Sequence, residues 1–221
     1  MDINFSLIWD ALPLLLAGAG ITIEITALSV GFGLLIGMTV GIARLASIKP
    51  VRYFANCYVD FIRGTPLLVQ IFLVYFALPG IIGHRVDPYF AAISACSINS
   101  GAYIAEIFRA GILAVDKGQA EAARSLGLSQ WQSMRLVVLP QAVKNVLPAL
   151  ANEMVTMVKE SSICSVLGMA EMMFAAKTIA GSTGISLAPY TLAALVYFCI
   201  NYPASKGIEA IERRMRRGDK Q

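Results

Sequence analysis

The chain has 221 residues, of which 57% are hydrophobic and only 14% are charged. This composition is too apolar for an ordinary soluble domain and indicates a single domain, residues 1–221, embedded in a bilayer. The net charge of +4 at pH 7 does not indicate a nucleic-acid partner, because the basic residues cluster at the ends of apolar segments.

Cysteine and histidine usage excludes several kinds of site. The four cysteines, Cys57, Cys96, Cys164 and Cys199, are widely separated in apolar runs, so we expect buried thiols, not metal ligands or disulfides. His84 is the only histidine, which rules out a histidine-based metal or catalytic cluster. No phosphate-binding GxxxxGK[ST] motif is present, so the chain is not expected to hydrolyse ATP. We predict a non-catalytic protein without a metal.

Long apolar segments predict an all-α integral membrane protein with five transmembrane helices. The first segment exceeds the roughly 20 residues that a bilayer requires, so part of it should tilt or protrude. The second is interrupted by Gly64-Thr65-Pro66, which predicts an amphipathic lead-in helix followed by a shorter span. The predicted spans are residues 12–43, 53–79, 88–115, 142–168 and 187–207.

Five spans place the termini on opposite sides of the membrane. Of the lysines and arginines that fall in loops or at the termini, all but Arg85 and Lys177 lie on one side. The positive-inside rule assigns that side to the cytoplasm, so we expect the N-terminus outside and the C-terminus in the cytoplasm.

Residues 116–140 form the longest stretch without a spanning pattern, and we call them the cytoplasmic loop. Glu121 to Leu126 should be helical and end at Gly127, which we expect to have a positive φ. Ser129 and Gln132 are spaced as a capping box that opens a second short helix, which Pro140 should end. On this pattern alone, the loop could be only an ordered connector at the membrane surface.

Three motifs resemble known membrane transport proteins. Glu121-Ala122-Ala123, Gly127 and Leu139-Pro140 match the EAA signature of ABC importer permeases. RGTPLLVQ at residues 63–70 and NSGAYIAE at residues 99–106 resemble the polar amino-acid uptake branch, which includes glutamine, histidine and arginine permeases. The resemblance covers nearly the whole chain, and it implies a type I ABC importer permease core.

The resemblance also implies a function and partners. The chain would be the membrane subunit of an ATP-driven importer in a bacterial cytoplasmic (inner) membrane, and it would carry glutamine or a basic amino acid such as arginine, histidine or lysine. An extracytoplasmic binding protein would deliver the solute. A second permease subunit, identical or a close paralogue, and two ATPase subunits that bind ATP and Mg would complete the complex. The coupling residues would be Glu121, Ala122, Ala123, Gly127 and Leu128.

A candidate substrate site lies on one face of the fourth predicted span. Glu153, Thr156, Met157 and Glu160 follow helical spacing, and buried acids in a span usually face a cavity or a bundle interior. We expect either acid to accept an ammonium or a cationic side chain, with Glu153 the better candidate. Asn99 and Tyr103 would add polar groups, Asn99 as a donor to the carboxylate, and Leu67 an apolar wall. Alternatively, Lys159, Arg63 or Arg109 simply neutralises these acids.

Two further alternatives remain open from the sequence. Glu153 and Glu160 would also suit an ion- or proton-coupled secondary transporter, although that reading gives no reason for the cytoplasmic loop. Gly33, Gly37 and Gly41 form a stripe that permits close helix approach, either between two permease chains or within one.

Overall fold

The computed structural model describes residues 5–217, and every regular element within that range is a helix. The all-α prediction is confirmed. The α-helices are α1 (Phe5–Leu45), α2 (Lys49–Arg63), α3 (Leu67–Phe72), α4 (Leu78–Ile82), α5 (Pro88–Leu113), α6 (Lys117–Ser125), α7 (Gln130–Ser133), α8 (Leu139–Glu160), α9 (Met172–Thr183) and α10 (Leu187–Arg217).

The long helix α1 packs closely along α5, and the glycine stripe makes this approach possible. A Cβ atom built at Gly37 would lie 2.5 Å from Cγ2 of Ile104, closer than side-chain atoms can approach. Along the same two helices Gly33 faces Ser100 and Gly41 faces Phe108, where a built Cβ would lie 3.0 Å and 3.5 Å from the Cβ of the facing residue. The stripe therefore serves packing within one subunit.

The chain turns sharply between α2 and α3. Helix α2 buries one face, through Ala55, Val59 and Ile62, and ends at Gly64, whose N–H donates to the carbonyl of Asp60. The helices on either side of the break meet at 106°. Pro66 has an extended ψ of 139°, so it starts a new helix instead of prolonging the old one. The predicted lead-in helix and break are both present.

Within the described range, α1 from Ala11 is the one single helix that is long and apolar enough to cross a membrane. Three pairs of helices, each bent at a short break, also qualify if each pair is counted as one span, which gives up to four. Helix α10 is not among them. The five-span topology and the predicted span boundaries therefore remain predictions.

The expectation that Pro140 ends a short helix is wrong. A single helical run extends from α7 through a π-helical segment, Met134–Val138, into α8, and Pro140 lies in the first turn of α8. The N–H of Leu139 bonds to the carbonyl of Met134, five residues back. This wider turn makes room for the proline ring, which would otherwise clash with the carbonyl four residues earlier.

A second π-helical segment, Leu73–Ala77, joins α3 to α4 in the same way. Leu78 donates to the carbonyl of Leu73, and Pro79 follows it directly. Each π-helical segment is thus followed directly by a Leu-Pro pair, and its wider turn keeps the helix continuous across the proline.

The cysteines only partly match expectation. Cys96 and Cys164 are buried, but Cys57 and Cys199 are exposed. The two exposed thiols lie on outward faces of α2 and α10, where an apolar sequence context does not imply burial within the chain. All four are free thiols.

Candidate functional site

Glu153 lies on the buried face of α8 and is held by α5. Glu153 is only 8% exposed, and the hydroxyl of Ser100 donates to its Oε1 at 3.0 Å. Ser100 itself is fully buried. One hydroxyl donor satisfies only part of the acceptor sites of a carboxylate, so Glu153 can accept further hydrogen bonds.

The other predicted residues of α8 surround Glu153 on the same helix. Met157 is fully buried, whereas Thr156 and Glu160 are half-buried. Met157 belongs to the same apolar cluster as Leu67, the first residue of α3, which is 8% exposed. The apolar wall expected from Leu67 therefore lies beside the α8 face.

Asn99 is tied to α3 through Gln70. The Nε2 of Gln70 donates to the carbonyl of Ile62 at 2.8 Å and to the carbonyl and hydroxyl of Thr65 at 3.1 and 3.0 Å. These acceptors orient the amide of Gln70, so its Oε1 accepts from Nδ2 of Asn99 at 3.0 Å. Among the described residues, Oδ1 of Asn99 is buried without a partner. The unpaired atom of Asn99 is thus an acceptor, which does not match the donor role we expected.

Tyr103 lies one turn further along α5, and its ring is covered by an arginine. The guanidinium carbon of Arg63 is 5.2 Å from the ring centroid, within the range of a cation–π contact. Arg63 ends α2, immediately before the break at Gly64. The RGTP segment is thereby brought against the NSGAYIAE segment.

A charged cluster around Glu106 lies beside Tyr103. Oε2 of Glu106 is 2.6 Å from Nη1 of Arg44 and 3.6 Å from Nη1 of Arg63. Arg109 also pairs with Glu106, one turn along α5. Arg63 and Arg109 thus form their ion pairs with Glu106, not with the acids of α8. Lys159, the third cation proposed to neutralise those acids, directly precedes Glu160 in the sequence.

The cytoplasmic loop forms an ordered corner. After α6, Gly127 has a φ of +90°, its N–H bonds to the carbonyl of Arg124, and the N–H of Leu128 bonds to the carbonyl of Ala123. This hydrogen-bond pair is a Schellman motif. The capping box is also formed: Ser129 Oγ accepts from the N–H of Gln132, whose side chain accepts from the N–H of Ser129. The positive φ and the capping box predicted from the sequence are confirmed.

The corner presents a defined set of side chains. Ala123 is buried, Leu128 is half-buried, and Glu121 and Ala122 are exposed. Two large apolar residues are also exposed, Leu126 at 85% and Trp131 at 69%. A rigid corner with an acid and apolar groups on its surface is suited to fit into a cleft of another protein.

Glu171 is a buried acid that the sequence analysis did not single out. It is fully buried and accepts from the backbone N–H groups of Met173 and Phe174, which begin α9. The hydroxyl of Tyr197 donates to it at 3.1 Å and that of Thr22 approaches at 3.5 Å. From the sequence we predict no helix after residue 168 until residue 187, and glutamate is not a preferred N-cap, so no local pattern points to this capping role.

A family model matches almost the whole chain. Residues 10–217 match the family described as "Binding-protein-dependent transport system inner membrane component". The arginine transport system permease protein ArtQ of Bacillus subtilis (strain 168) is 38% identical over 99% of this chain and 100% of that protein. The glutamine transport system permease protein GlnP of Escherichia coli (strain K12) is 39% identical over 98% of this chain and 99% of that protein.

Solved structures agree with these sequence relatives. A chain from the crystal structure of an amino acid ABC transporter with histidines superposes with a TM-score of 0.93, at 43% identity, covering 97% of this chain and 100% of that one. A chain of the MetNI methionine ABC transporter, inward facing, superposes with a TM-score of 0.73 at 21% identity, and it supports the fold alone.

These findings settle what kind of protein the chain is. The fold is that of type I ABC importer permeases, whose subunits carry no cofactor and leave ATP hydrolysis to a partner ATPase. The ion-coupled secondary transporter finds no support among the relatives. The chain therefore belongs to the family of inner membrane components of binding-protein-dependent transport systems, and it is a non-catalytic permease subunit that works with an ATPase and a solute-binding protein.

Proposed function

We propose that this permease carries a polar amino acid, with arginine, lysine, histidine and glutamine as the candidates. Two full-length relatives are named for arginine and glutamine transport, and a structural neighbour is an amino acid transporter with histidines. The single observation that carries the proposal is Glu153, a buried acid with one hydroxyl partner at 3.0 Å. An ammonium or guanidinium group is the complement that such a site needs.

The substrate site is formed by the inward faces of α3, α5 and α8. Glu153 and Glu160 receive the cationic part of the solute, and Oδ1 of Asn99 is an acceptor that an ammonium group can satisfy. Leu67 and Met157 form the apolar wall, and Thr156 and Tyr103 complete the set. The preference of the permease for a cationic over a neutral solute should depend most on Glu153.

The cytoplasmic loop transmits ATPase movement to the spans. Glu121, Ala122, Ala123, Gly127 and Leu128 form its contact surface and its bend. Because α6 leaves α5 at 56°, a push on the corner acts directly on the helix that carries Asn99 and Ser100. ATP and Mg bind to the ATPase subunits.

The complex contains two permease chains, two ATPase subunits and one binding protein outside the membrane. Each permease has five spans, with its N-terminus outside and its C-terminus in the cytoplasm. Cross-linking in native membranes tests the permease dimer: monomeric permease alone, with transport intact, would contradict it. A reporter fused to each terminus tests the orientation.

Transport in proteoliposomes tests the function. The permease is reconstituted with its ATPase and candidate binding proteins, and uptake of each labelled amino acid is measured with ATP inside. We expect uptake of at least one of the four amino acids, dependent on ATP and insensitive to proton or sodium ionophores. Uptake that continues without ATP, or ATP hydrolysis that no amino acid stimulates, would overturn the proposal.

A further inference from the structure

The charges around Glu106 do not balance. One carboxylate meets three guanidinium groups, from Arg44 in α1, Arg63 in α2 and Arg109 in α5. The cluster of these four side chains therefore has an excess of positive charge. Within or beside a membrane an unbalanced cation is costly, so such a cluster is suited to receive an anion.

Arg63 is the least firmly held of the three arginines. Arg44 is 2.6 Å from Oε2 of Glu106, also donates to Asn56 at 2.7 Å, and its side chain is only 8% exposed. Arg109 donates to both oxygens of the same carboxylate. Arg63 reaches Glu106 only at 3.6 Å, and its side chain is 39% exposed. Most of its five N–H donors remain open to another acceptor.

Arg63 nevertheless lies next to one residue of the candidate substrate site, Tyr103. Its guanidinium carbon lies 5.2 Å from the centroid of the Tyr103 ring, and this cation–π contact uses none of its N–H donors in a hydrogen bond. Tyr103 and Ser100 are three residues apart on α5, so they lie on neighbouring turns of one face, and Ser100 holds Glu153.

An amino acid has a carboxylate as well as an ammonium group, and the residues predicted for the site supply no cation for it. Asn99 is tied to Gln70 through its nitrogen, and its unpaired atom is an acceptor. Arginine is the side chain best shaped for a carboxylate, because two parallel N–H groups match its two oxygens.

We infer that Arg63 is a specificity-determining residue that binds the α-carboxylate of the solute, opposite Glu153, which binds its cationic part. The inference rests on the proposed amino-acid transport and extends it. The cation–π contact with Tyr103 and the long ion pair with Glu106 position Arg63 when the site is empty. Solute binding then replaces a weak ion pair by a bidentate one.

The test compares each amino acid with the same molecule lacking the carboxylate. Pairs of probes are L-arginine with agmatine, L-histidine with histamine, and L-glutamine with 4-aminobutanamide. Binding is measured directly on the permease–ATPase complex in nanodiscs, without the solute-binding protein, because that protein would itself discriminate between the members of a pair. The wild type should bind the amino acid of at least one pair more tightly than its decarboxylated partner.

The variant Arg63→Met should weaken binding of the amino acid about tenfold or more and leave its decarboxylated partner unchanged, so the preference within the pair disappears. Arg63→Lys should retain part of the preference, since a lysine keeps the charge but not the bidentate geometry. Arg52→Met is the control: Arg52 is an exposed arginine on the same helix, α2, and does not belong to the cluster around Glu106. This control should keep the wild-type preference.

Two failures have different meanings. If Arg63→Met weakens both members of a pair equally, or neither, Arg63 has no role in carboxylate recognition and the inference is wrong, while amino-acid binding stands. If the wild-type complex binds none of the three amino acids and the proteoliposomes do not take up L-lysine either, the proposed function itself is wrong, and the role of Arg63 falls with it.

Discussion

The hydroxyl of Ser100 donates a hydrogen bond of 3.0 Å to the carboxylate of Glu153, and this contact joins α5 to α8 at the level of the candidate site. The two residues are 53 positions apart in the sequence. Ser100 also faces Gly33 of α1: a Cβ built at Gly33 would lie 3.0 Å from the Cβ of Ser100. Close approach of α1 to α5 therefore supports the residue that holds the buried acid in place.

Glu153→Gln should weaken uptake of a cationic amino acid far more than uptake of glutamine. The substitution keeps the size and one acceptor but removes the charge, and a hydrogen bond to a charged group contributes about 1–2 kcal/mol more than a neutral one. We expect about a tenfold rise in KM for L-arginine relative to L-glutamine. Uptake into proteoliposomes measures both.

Glu209→Gln is a suitable control, because the Glu209 side chain on α10 is 46% exposed and pairs with Lys206 at 2.9 Å. It should leave the ratio of the two KM values unchanged. Equal uptake of every amino acid by wild type and Glu153→Gln would show that the site lies elsewhere.

The sequence predicted features that depend on neighbouring residues. The break at Gly64-Thr65-Pro66, the positive φ of Gly127 and the capping box of Ser129 each follow from a few consecutive residues whose backbone preferences are strong. The α8 face followed from helical spacing alone. These features needed no knowledge of the tertiary structure.

Features that depend on distant residues were not predictable in this way. Arg44 meets Glu106 across 62 residues, and Gln70 orients Asn99 across 29. No periodicity links such pairs, because they meet only after α1, α3 and α5 have packed. Pro140 misled the prediction for another reason: a proline usually ends a helix, but the π segment before it relieves the clash.

Gly37→Ala should destabilise the permease through the α1–α5 contact. The added Cβ would lie 2.5 Å from Cγ2 of Ile104 and 2.9 Å from the carbonyl oxygen of Gly101, so the helices must separate. Overpacking of this kind costs about 1–3 kcal/mol. Thermal unfolding of the purified complex in detergent should show a lower midpoint.

Gly41→Ala is the matched control on the same stripe, because its Cβ would lie 3.5 Å from Cβ of Phe108, an ordinary contact. Its midpoint should stay near that of the wild type. If both variants have the same thermal unfolding midpoint as the wild type, close packing of α1 on α5 is not a determinant of stability.

Glu171→Ala should also lower stability, by about 1–3 kcal/mol. The change removes the cap of α9 and leaves the hydroxyl of the half-buried Tyr197 without its acceptor. Tyr197→Phe removes only one of the donors to Glu171, so its effect should be clearly smaller. The same unfolding measurement ranks the two variants, and the reverse order would contradict a capping role for Glu171.

Gly127→Ala should uncouple ATP hydrolysis from transport while the chain still inserts into the membrane. A Cβ at Gly127 meets nothing within 4 Å, so the cost comes from the backbone alone, whose φ is +90°. An alanine is disfavoured in that region by about 1–2 kcal/mol. The strain would displace the corner that carries Glu121 and Ala123, and we expect ATP hydrolysis stimulated by solute and binding protein to fall severalfold.

Gly20→Ala separates the effect of backbone conformation from that of an added methyl group. A Cβ at Gly20 also meets nothing within 4 Å, but Gly20 lies inside helix α1, where alanine is favoured. This variant should keep wild-type coupling. Because both substitutions add the same atom into open space, only the φ of Gly127 distinguishes them. Wild-type coupling in both would mean that the shape of the corner does not transmit ATPase movement.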